Sequence, residues 1–343
     1  MSKRREVAEL AGVSEATVSR VMNNVGPIKE ETRKKVAEAA EALNYKLDTI
    51  ASSFARGKSC NLGVVLPKLP KVSLFSTYYF SEILSGIGEA VQGAGYGLLL
   101  LYRNPTNPFD YASLLQQRRV DACLVLGASD LGAEEEGLKH AADRGLPICL
   151  VDHEPVDFRI SVVGTDHEQG SHTAVHHLIS HGCRRIGFLN GAPHYSGSRA
   201  RLHGYKRAID ELNVPFEPKL LWEGNYSRSS GYRLAAAVLD RMADLDGMFI
   251  ANDRMALGLM QGLRELGMRL PEDLPMVGYD DSDVASIAEP ALTTMRVPFF
   301  EMGYQAAREM LQRFNGWDAE ASVFQYKLPT ELIIRKSCGF HSQ

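Results

Sequence analysis

Three groups of residues in this sequence have types and spacings that could do chemistry. The first lies in GVSEATVSRVMNN, Gly12 to Asn24. Within it Ala16, Thr17, Ser19, Arg20 and Asn23 are small or hydrogen-bonding, which suits close approach to a duplex. An ordinary solvated helix would carry more Lys and Glu there. A guanidinium such as that of Arg20 pairs bidentately with guanine, and a carboxylate such as that of Glu15 can accept from cytosine N4. The second group comprises charges at the ends of apolar runs, chiefly Arg201 and Asp280. A charge in such a place must be paired or bind something. The third group is HEQGSHTAVHHLISHG, in which His172/His176 and His177/His181 stand four apart. Such pairs can hold a metal, but nothing at obvious spacing completes either set, so no metal is expected.

The elements that must position these residues fall into a small helical head and a larger body. In the head, the apolar spacing predicts helices over Arg5–Ala11, from Ser14 to about Met22, and from Glu30 to about Leu43. Gly12 stands where a helix terminates and Ser14 where one is capped. Two short helices across a turn, followed by a third, form a helix-turn-helix whose second helix enters the major groove. Residues 1–60 hold 11 Lys and Arg against 8 Asp and Glu, a net of +3; the remainder holds 27 against 34, a net of −7. A basic head on an acidic body assigns a polyanion partner to the head alone.

In the body, apolar runs of strand length recur at 62–67, 96–102, 121–127, 147–152, 161–166, 185–191, 220–226, 247–253 and 276–281, mostly separated by helix-length amphipathic segments. Continuous apolar strands alternating with helices predict parallel sheets covered on both faces. The number of strands is too large for one ordinary sheet, so two Rossmann-like lobes are expected, with a ligand beyond the carboxyl ends of their strands.

The stretch VAELAGVSEATVSRVMNN…ETRKKVAEAAEALNY resembles the head of the lactose/galactose-repressor (LacI/GalR) family, with Val7, Ala8, Ala11, Gly12, Val13, Ser14, Thr17, Val18, Ser19, Arg20, Val21 and Asn23 on the family motif. The resemblance implies base reading by Glu15, Ala16 and Arg20. It implies phosphate or packing contacts for Thr17, Ser19, Asn23, Thr32 and Tyr45, and it places the cap residue Ser14 among the DNA-binding residues as well. Residues 46–59, KLDTIASSFARGKS, are similar to the family's hinge helix, although the common Pro-Asn start is Leu47-Asp48 here. Phe54 takes the place of the family's minor-groove wedge, beside Ala51, with Lys58 near phosphate. Ile50 and Phe54, four apart, also read as a plain apolar stripe.

The body signatures RLHGYKRAI, FIANDRMALG, LPEDLPMVGYDD and PALTTMRVP are likewise similar to the family's, whose body resembles a periplasmic binding protein of type I. The implied domains are the head at 1–46, the hinge at 47–59 and the body at 60–339. The N-lobe would span about 60–163 and 296–322, the C-lobe about 164–293 and 323–339, with crossings near Gly164, Met295 and Phe324. Effector-binding residues implied by the resemblance are Tyr79, Phe80, Tyr111, Ala128 or Ser129, Asp152, Asp166, Tyr195, Arg201, Tyr226, Asn252, Asp253 and Asp280. For each aromatic, core packing is the competing role.

These readings together describe a homodimeric, cytoplasmic repressor, nucleoid-associated when bound to its operator and controlled by a sugar-like effector. A purine-type corepressor fits the same aromatics. No cofactor is implied. An enzyme or a secreted sugar-binding protein is disfavoured, because no G-x-G-x-x-G, P-loop or nucleophile elbow is visible and the start MSKRREVAEL lacks a signal's apolar core. No run approaches the ~20 apolar residues of a membrane span. The five scattered cysteines point to free thiols in a reducing compartment. The end IIRKSCGFHSQ has no leucine heptad, so a dimer rather than a tetramer is expected.

Overall fold

In the computed structural model, the described residues are 3–22, 26–45, 58–68, 74–104, 106–211, 213, 216–314, 318 and 322–339. Asn23, Ala51 and Phe54, and the expected hinge helix apart from Lys58 and Ser59, lie outside them. The chain forms two compact units, Met1–Cys60 and Asn61–Gln343.

The smaller unit is a three-helix head of α1 (Lys3–Ala11), α2 (Glu15–Met22) and α3 (Glu30–Ala42). Each helix is too short to persist alone in water. Together they bury Val7, Ala8, Val18, Val21, Val36, Ala39 and Ala40 in one cluster. The turn between α1 and α2 is set by backbone chemistry. Gly12 is left-handed at φ 66°. Gly12 N–H donates to the Glu9 carbonyl at 3.3 Å and Val13 N–H to that of Ala8 at 3.0 Å, the paired bonds of a Schellman motif. Ser14 Oγ then accepts from Thr17 N–H at 3.1 Å and caps α2.

The larger unit alternates strand and helix. Its first half runs β1 (Asn61–Pro67), α4 (Tyr78–Ala94), β2 (Gly97–Arg103), α5 (Tyr111–Gln116), β3 (Ala122–Leu126), α6 (Gly132–Asp143), β4 (Ile148–Val151) and β5 (Ser161–Thr165). It continues α7 (His167–Ser180), β6 (Ile186–Asn190), α8 (Ser196–Glu211), β7 (Leu221–Glu223), α9 (Arg228–Leu239), β8 (Gly247–Ile250), α10 (Asp253–Glu265) and β9 (Met276–Asp280). It closes with α11 (Asp283–Ile287), β10 (Thr293–Arg296), α12 (Phe299–Phe314), β11 (Gln325–Leu328) and β12 (Glu331–Ile333).

Two six-stranded sheets result, ordered β11-β5-β4-β3-β1-β2 and β12-β10-β9-β8-β6-β7. All pairings are parallel except β12 against β10. The apolar runs of β1, β3, β4 and β6 are buried along almost their whole length, as strands covered on both faces must be. The nine expected strands are present. Three short strands complete the sheets: β11 and β12 at their edges, and β10 between β12 and β9.

Each lobe is built from discontinuous chain. After β10 the chain returns to the first lobe, where α12 packs on α4. The two helices meet at glycines: a Cβ on Gly86 would lie 2.0 Å from the Phe300 carbonyl oxygen, and one on Gly303 2.1 Å from that of Ile83. One expected boundary needs correction. Strand β11 lies beside β5, with Gln325 opposite Val162 and Leu328 opposite Thr165. Residues 325–328 therefore belong to the first lobe, and the third crossing follows Leu328 instead of falling near Phe324. The pairing decides this: Val162 N–H already donates to the Phe324 carbonyl at 2.9 Å, so the chain is laid along the first sheet before it crosses.

Candidate nucleic-acid interface and ligand cleft

In the head, α2 buries Val18 and Val21 and turns Ala16 and Arg20 outward. Glu15, Thr17 and Ser19 are half-buried. Arg20 forms no ion pair among the described residues. Glu15 pairs with Arg4 Nε at 3.0 Å, an exposed contact that contributes little to stability. It does hold the carboxylate at the first turn of α2, where the helix dipole favours it. Tyr45 packs against the head core. Its N–H closes the end of α3 onto the Ala40 carbonyl at 2.7 Å. Thr32 is half-buried in the first turn of α3, and Lys58 is half-buried in a non-helical segment.

In the body, a cavity of about 360 Å³ lies where strands of both sheets end. That is within the ~300–1,000 Å³ of small-molecule sites. Tyr79, Phe80, Asp152, Tyr195, Arg201, Tyr226, Asn252 and Asp280 line it, as does Ala128. Three of these hold left-handed backbone: Asp152 at φ 59°, Tyr226 at φ 62° and Asp280 at φ 113°. Non-glycine residues in that region are strained, and such strain concentrates at functional sites.

Aromatic rings form two walls. Tyr79 meets Phe80 edge-on at 4.8 Å and Phe299 at 5.1 Å, while Tyr195 meets Tyr226 at 6.0 Å. Between them lie the charges. His167 Nε2 is 2.9 Å from Asp152 Oδ1, and its Nδ1 is 3.2 Å from the Tyr279 hydroxyl. Burial works to raise the Asp152 pKa, but His167 and Arg201 outweigh it and hold the carboxyl below its ordinary value. An ionised Asp152 only accepts, so His167 donates from Nε2 and accepts from Tyr279 at Nδ1. Burial, with Arg201 beside it, lowers the His167 pKa and keeps the ring neutral. Arg201 is 5% exposed, stacks 4.3 Å from the Tyr279 ring centre and leaves its Nε without a partner. Burial and the neighbouring Asp253 push the Asp280 pKa well up.

Four expected residues are placed elsewhere. Tyr111 is a core residue, 2% exposed, with its ring against Phe109 at 4.9 Å; the Asp110 cap of α5 starts a helix that turns this ring inward. Ser129 is buried and its hydroxyl donates to Glu134 at 2.6 Å, in a network with Arg103 that ties the ends of β1 and β3. Asp166 caps α7 by accepting from Gln169 N–H at 2.9 Å and pairs with Lys327 at 3.1 Å. Asp253 is fully buried and accepts from the Ser282 amide and hydroxyl, both at 2.8 Å, and from Thr294 at 2.7 Å. Its role is to join α10, β10 and the start of α11.

Conversely Thr77, Tyr78, His194, Ser196, Asn225, Arg254 and Phe299 line the cavity without having been singled out in the sequence. Several stand at the first turns of helices that follow parallel strands, a position that could have marked them. Contacts between the lobes close around the cavity. Arg199 pairs with Asp130, Asp130 N–H donates to the His194 carbonyl at 2.9 Å, and Arg254 donates to the Thr77 hydroxyl at 3.2 Å. Among the described residues no three of His, Cys, Asp and Glu gather into a metal-holding group. His172 faces Glu211 at 2.6 Å, and His181 Nδ1 lies 2.7 Å from the His177 carbonyl.

Residues 5–48 match the model of bacterial regulatory proteins, lacI family, and residues 175–338 that of the periplasmic binding protein-like domain. The HTH-type transcriptional repressor PurR of Vibrio vulnificus is 32% identical over 341 residues, with 98% of each chain covered. The chain belongs to the lacI family of bacterial regulatory proteins. Among solved structures, the lac repressor dimer bound to operator and the anti-inducer ONPF superimposes with a TM-score of 0.81 at 27% identity, covering 97% of each chain. The transcriptional regulator CelR in complex with cellobiose gives 0.73 at 29% identity, covering 97% of this chain and 99% of that one. The expected architecture, a helix-turn-helix head with a two-lobed periplasmic-binding-like body, is therefore shown. So is the class of activity: this is a DNA-binding transcriptional regulator with a ligand-binding body, from a family of regulators and not of enzymes. No helix among the described residues is long and apolar enough to cross a membrane.

Proposed function

We propose that this regulator is a cytoplasmic, homodimeric repressor whose operator affinity is set by a small polyol bound in the body cavity. The observation that carries this reading is the cavity itself. It offers aromatic walls for C–H faces, and carboxyl, amide and guanidinium groups for hydroxyls. Arg201, Asp152, Asn252 and Asp280 hold the effector, and Tyr79, Tyr195, Tyr226 and Phe299 stack on it. A sugar or sugar derivative suits this mixture; a purine is the alternative, supported by the same rings.

Two heads read the halves of a pseudo-palindromic site, as a two-fold dimer requires. Arg20 reads guanine, and Glu15 with Ala16 sets the neighbouring preference. Phosphate contacts supply most of the affinity and make it salt-dependent. Effector binding shifts the closure of the lobes, and the change passes along residues 46–60, with Phe54 as the minor-groove wedge. The coupling is reciprocal: operator must alter effector affinity by the same factor.

Selection of binding sites from random duplex DNA tests the reading. The protein should enrich a two-fold symmetric sequence, and Glu15→Gln should change the preferred base at one symmetric pair of positions. An asymmetric sequence would refute the dimeric reading, and an unchanged preference would leave Glu15 only its helix-start role.

A further inference from the structure

The cavity is asymmetric in charge, and the asymmetry is built by residues whose bonds are accounted for. Asp253 is withdrawn from it: one oxygen accepts from Ser282 twice and the other from Thr294. Asp152 spends Oδ1 on the neutral His167 and keeps its negative charge in the cavity, so a single ionised acid stands there against two arginines. The two arginines are not matched in this way. Among the described residues neither Arg201 nor Arg254 has a carboxylate within ion-pair distance. Arg254 donates only to a neutral hydroxyl, that of Thr77 at 3.2 Å, so most of its five N–H groups are unspent. Arg201, 95% withdrawn from solvent, leaves Nε without an acceptor although it lines the cavity. A buried guanidinium N–H without an acceptor costs stability, and an acceptor group on a ligand in the cavity would offset that cost.

The backbone adds the same sign. α4, α8, α9 and α10 each bring their first residues or caps to the cavity, through Thr77 and Tyr78, Ser196, Ser227, and Asn252 with Arg254. Each helix is twelve residues or longer and presents its positive end. The remaining acid, Asp280, is held towards its protonated form by burial and by Asp253.

We propose that the effector is an anionic polyol, a sugar bearing a carboxylate or a phosphate, whose acidic group is taken by Arg254 together with Arg201. The assignment rests on the cavity being the effector site and adds its chemical class. Arg254 is the specificity-determining residue; its guanidinium can present two parallel N–H groups to an oxyanion.

Thermal unfolding of the full chain with inorganic phosphate, D-gluconate, D-glucose 6-phosphate, D-glucose, cellobiose and guanine, at matched ionic strength, tests this. An acidic compound should raise the midpoint by more than any neutral one, and calorimetric titration should show that Arg254→Gln weakens it about tenfold or more. Arg254→Lys, which keeps the charge, should recover part of the loss. Gluconate against glucose 6-phosphate separates carboxylate from phosphate. If none of the three acidic compounds stabilises the protein, the assignment is overturned. If a neutral compound stabilises it, with Arg201→Ala abolishing the effect and Arg254→Gln sparing it, the cavity remains the effector site and the acidic class falls. Stabilisation that survives both changes would place the ligand elsewhere and overturn both readings.

Discussion

Asp280 was expected at the end of an apolar strand and closes β9; Arg201 was expected at such an end too but sits within α8, and both line the cavity. Tyr111, Ser129, Asp166 and Asp253 were equally near strand ends and do not. The pattern of strands tells where a chain leaves the sheet, but not which way the next side chain turns. That was decided by partners distant in sequence, such as Thr294 for Asp253 and Lys327 for Asp166. The histidine run shows the same limit. His177 is buried, and burial together with His181 and His176 lowers its pKa to about 4. The unfolded chain protonates such a ring near 6.5. Stability attributable to His177 is therefore full above about 6.5 and is lost as pH falls towards about 4. The slope is at most about 1.4 kcal/mol per pH unit. Urea unfolding between pH 7 and 4 should show a shallower acid loss for His177→Gln than for the parent chain. Equal slopes would remove His177 from the account.

At the scale of elements, helices and long strands were legible because their apolar periods are unambiguous. The head helices fall within about two residues of the expected bounds, fixed by Gly12 and Ser14. Strands β10, β11 and β12 were not legible as strands: each has four residues or fewer, and β11 and β12 lack a fully buried residue, so pairing at a sheet edge defines those two, while β10 is defined by pairing with β9 and β12. The crossing after Leu328 went unread for that reason. Close helix packing was also silent in the sequence, since a glycine in a helix carries no apolar signal. Gly86 illustrates its weight. A methyl there meets the backbone of α12, which cannot rotate away as a side chain would. Gly86→Ala should cost about 2 kcal/mol or more in chemical denaturation, in the upper part of the range for overpacked sites. A loss below about 0.5 kcal/mol would show that α4 and α12 separate freely.

For the whole molecule, the contrast between a head of net +3 and a body of −7 was readable from composition and agrees with a division of labour between DNA and ligand. A surface for the proposed pairing of two copies was not. Edge strand β2 exposes Leu98, Leu100 and Tyr102 on alternate positions, and Phe75 is 56% exposed. In the second lobe Ile287 is 80% exposed beside Val284. Apolar side chains set in a row on a free edge strand invite a partner. Leu98→Glu with Leu100→Glu should shift sedimentation from dimer to monomer and weaken binding to a two-fold DNA site by about a hundredfold or more, since each head would then act alone. Dimers that persist would move the interface elsewhere.

In the proposed function, occupancy of the body cavity controls the head. It is tested most directly by fluorescence anisotropy on the selected two-fold DNA site, titrated with protein at fixed salt, with and without the compound that most raises the thermal midpoint. The compound should change DNA affinity at least about tenfold in the parent chain. Arg201→Ala should bind the DNA as the parent chain does without ligand, and the compound should have no effect on it. An affinity unmoved by a ligand that demonstrably fills the cavity would show that the cavity does not control the head.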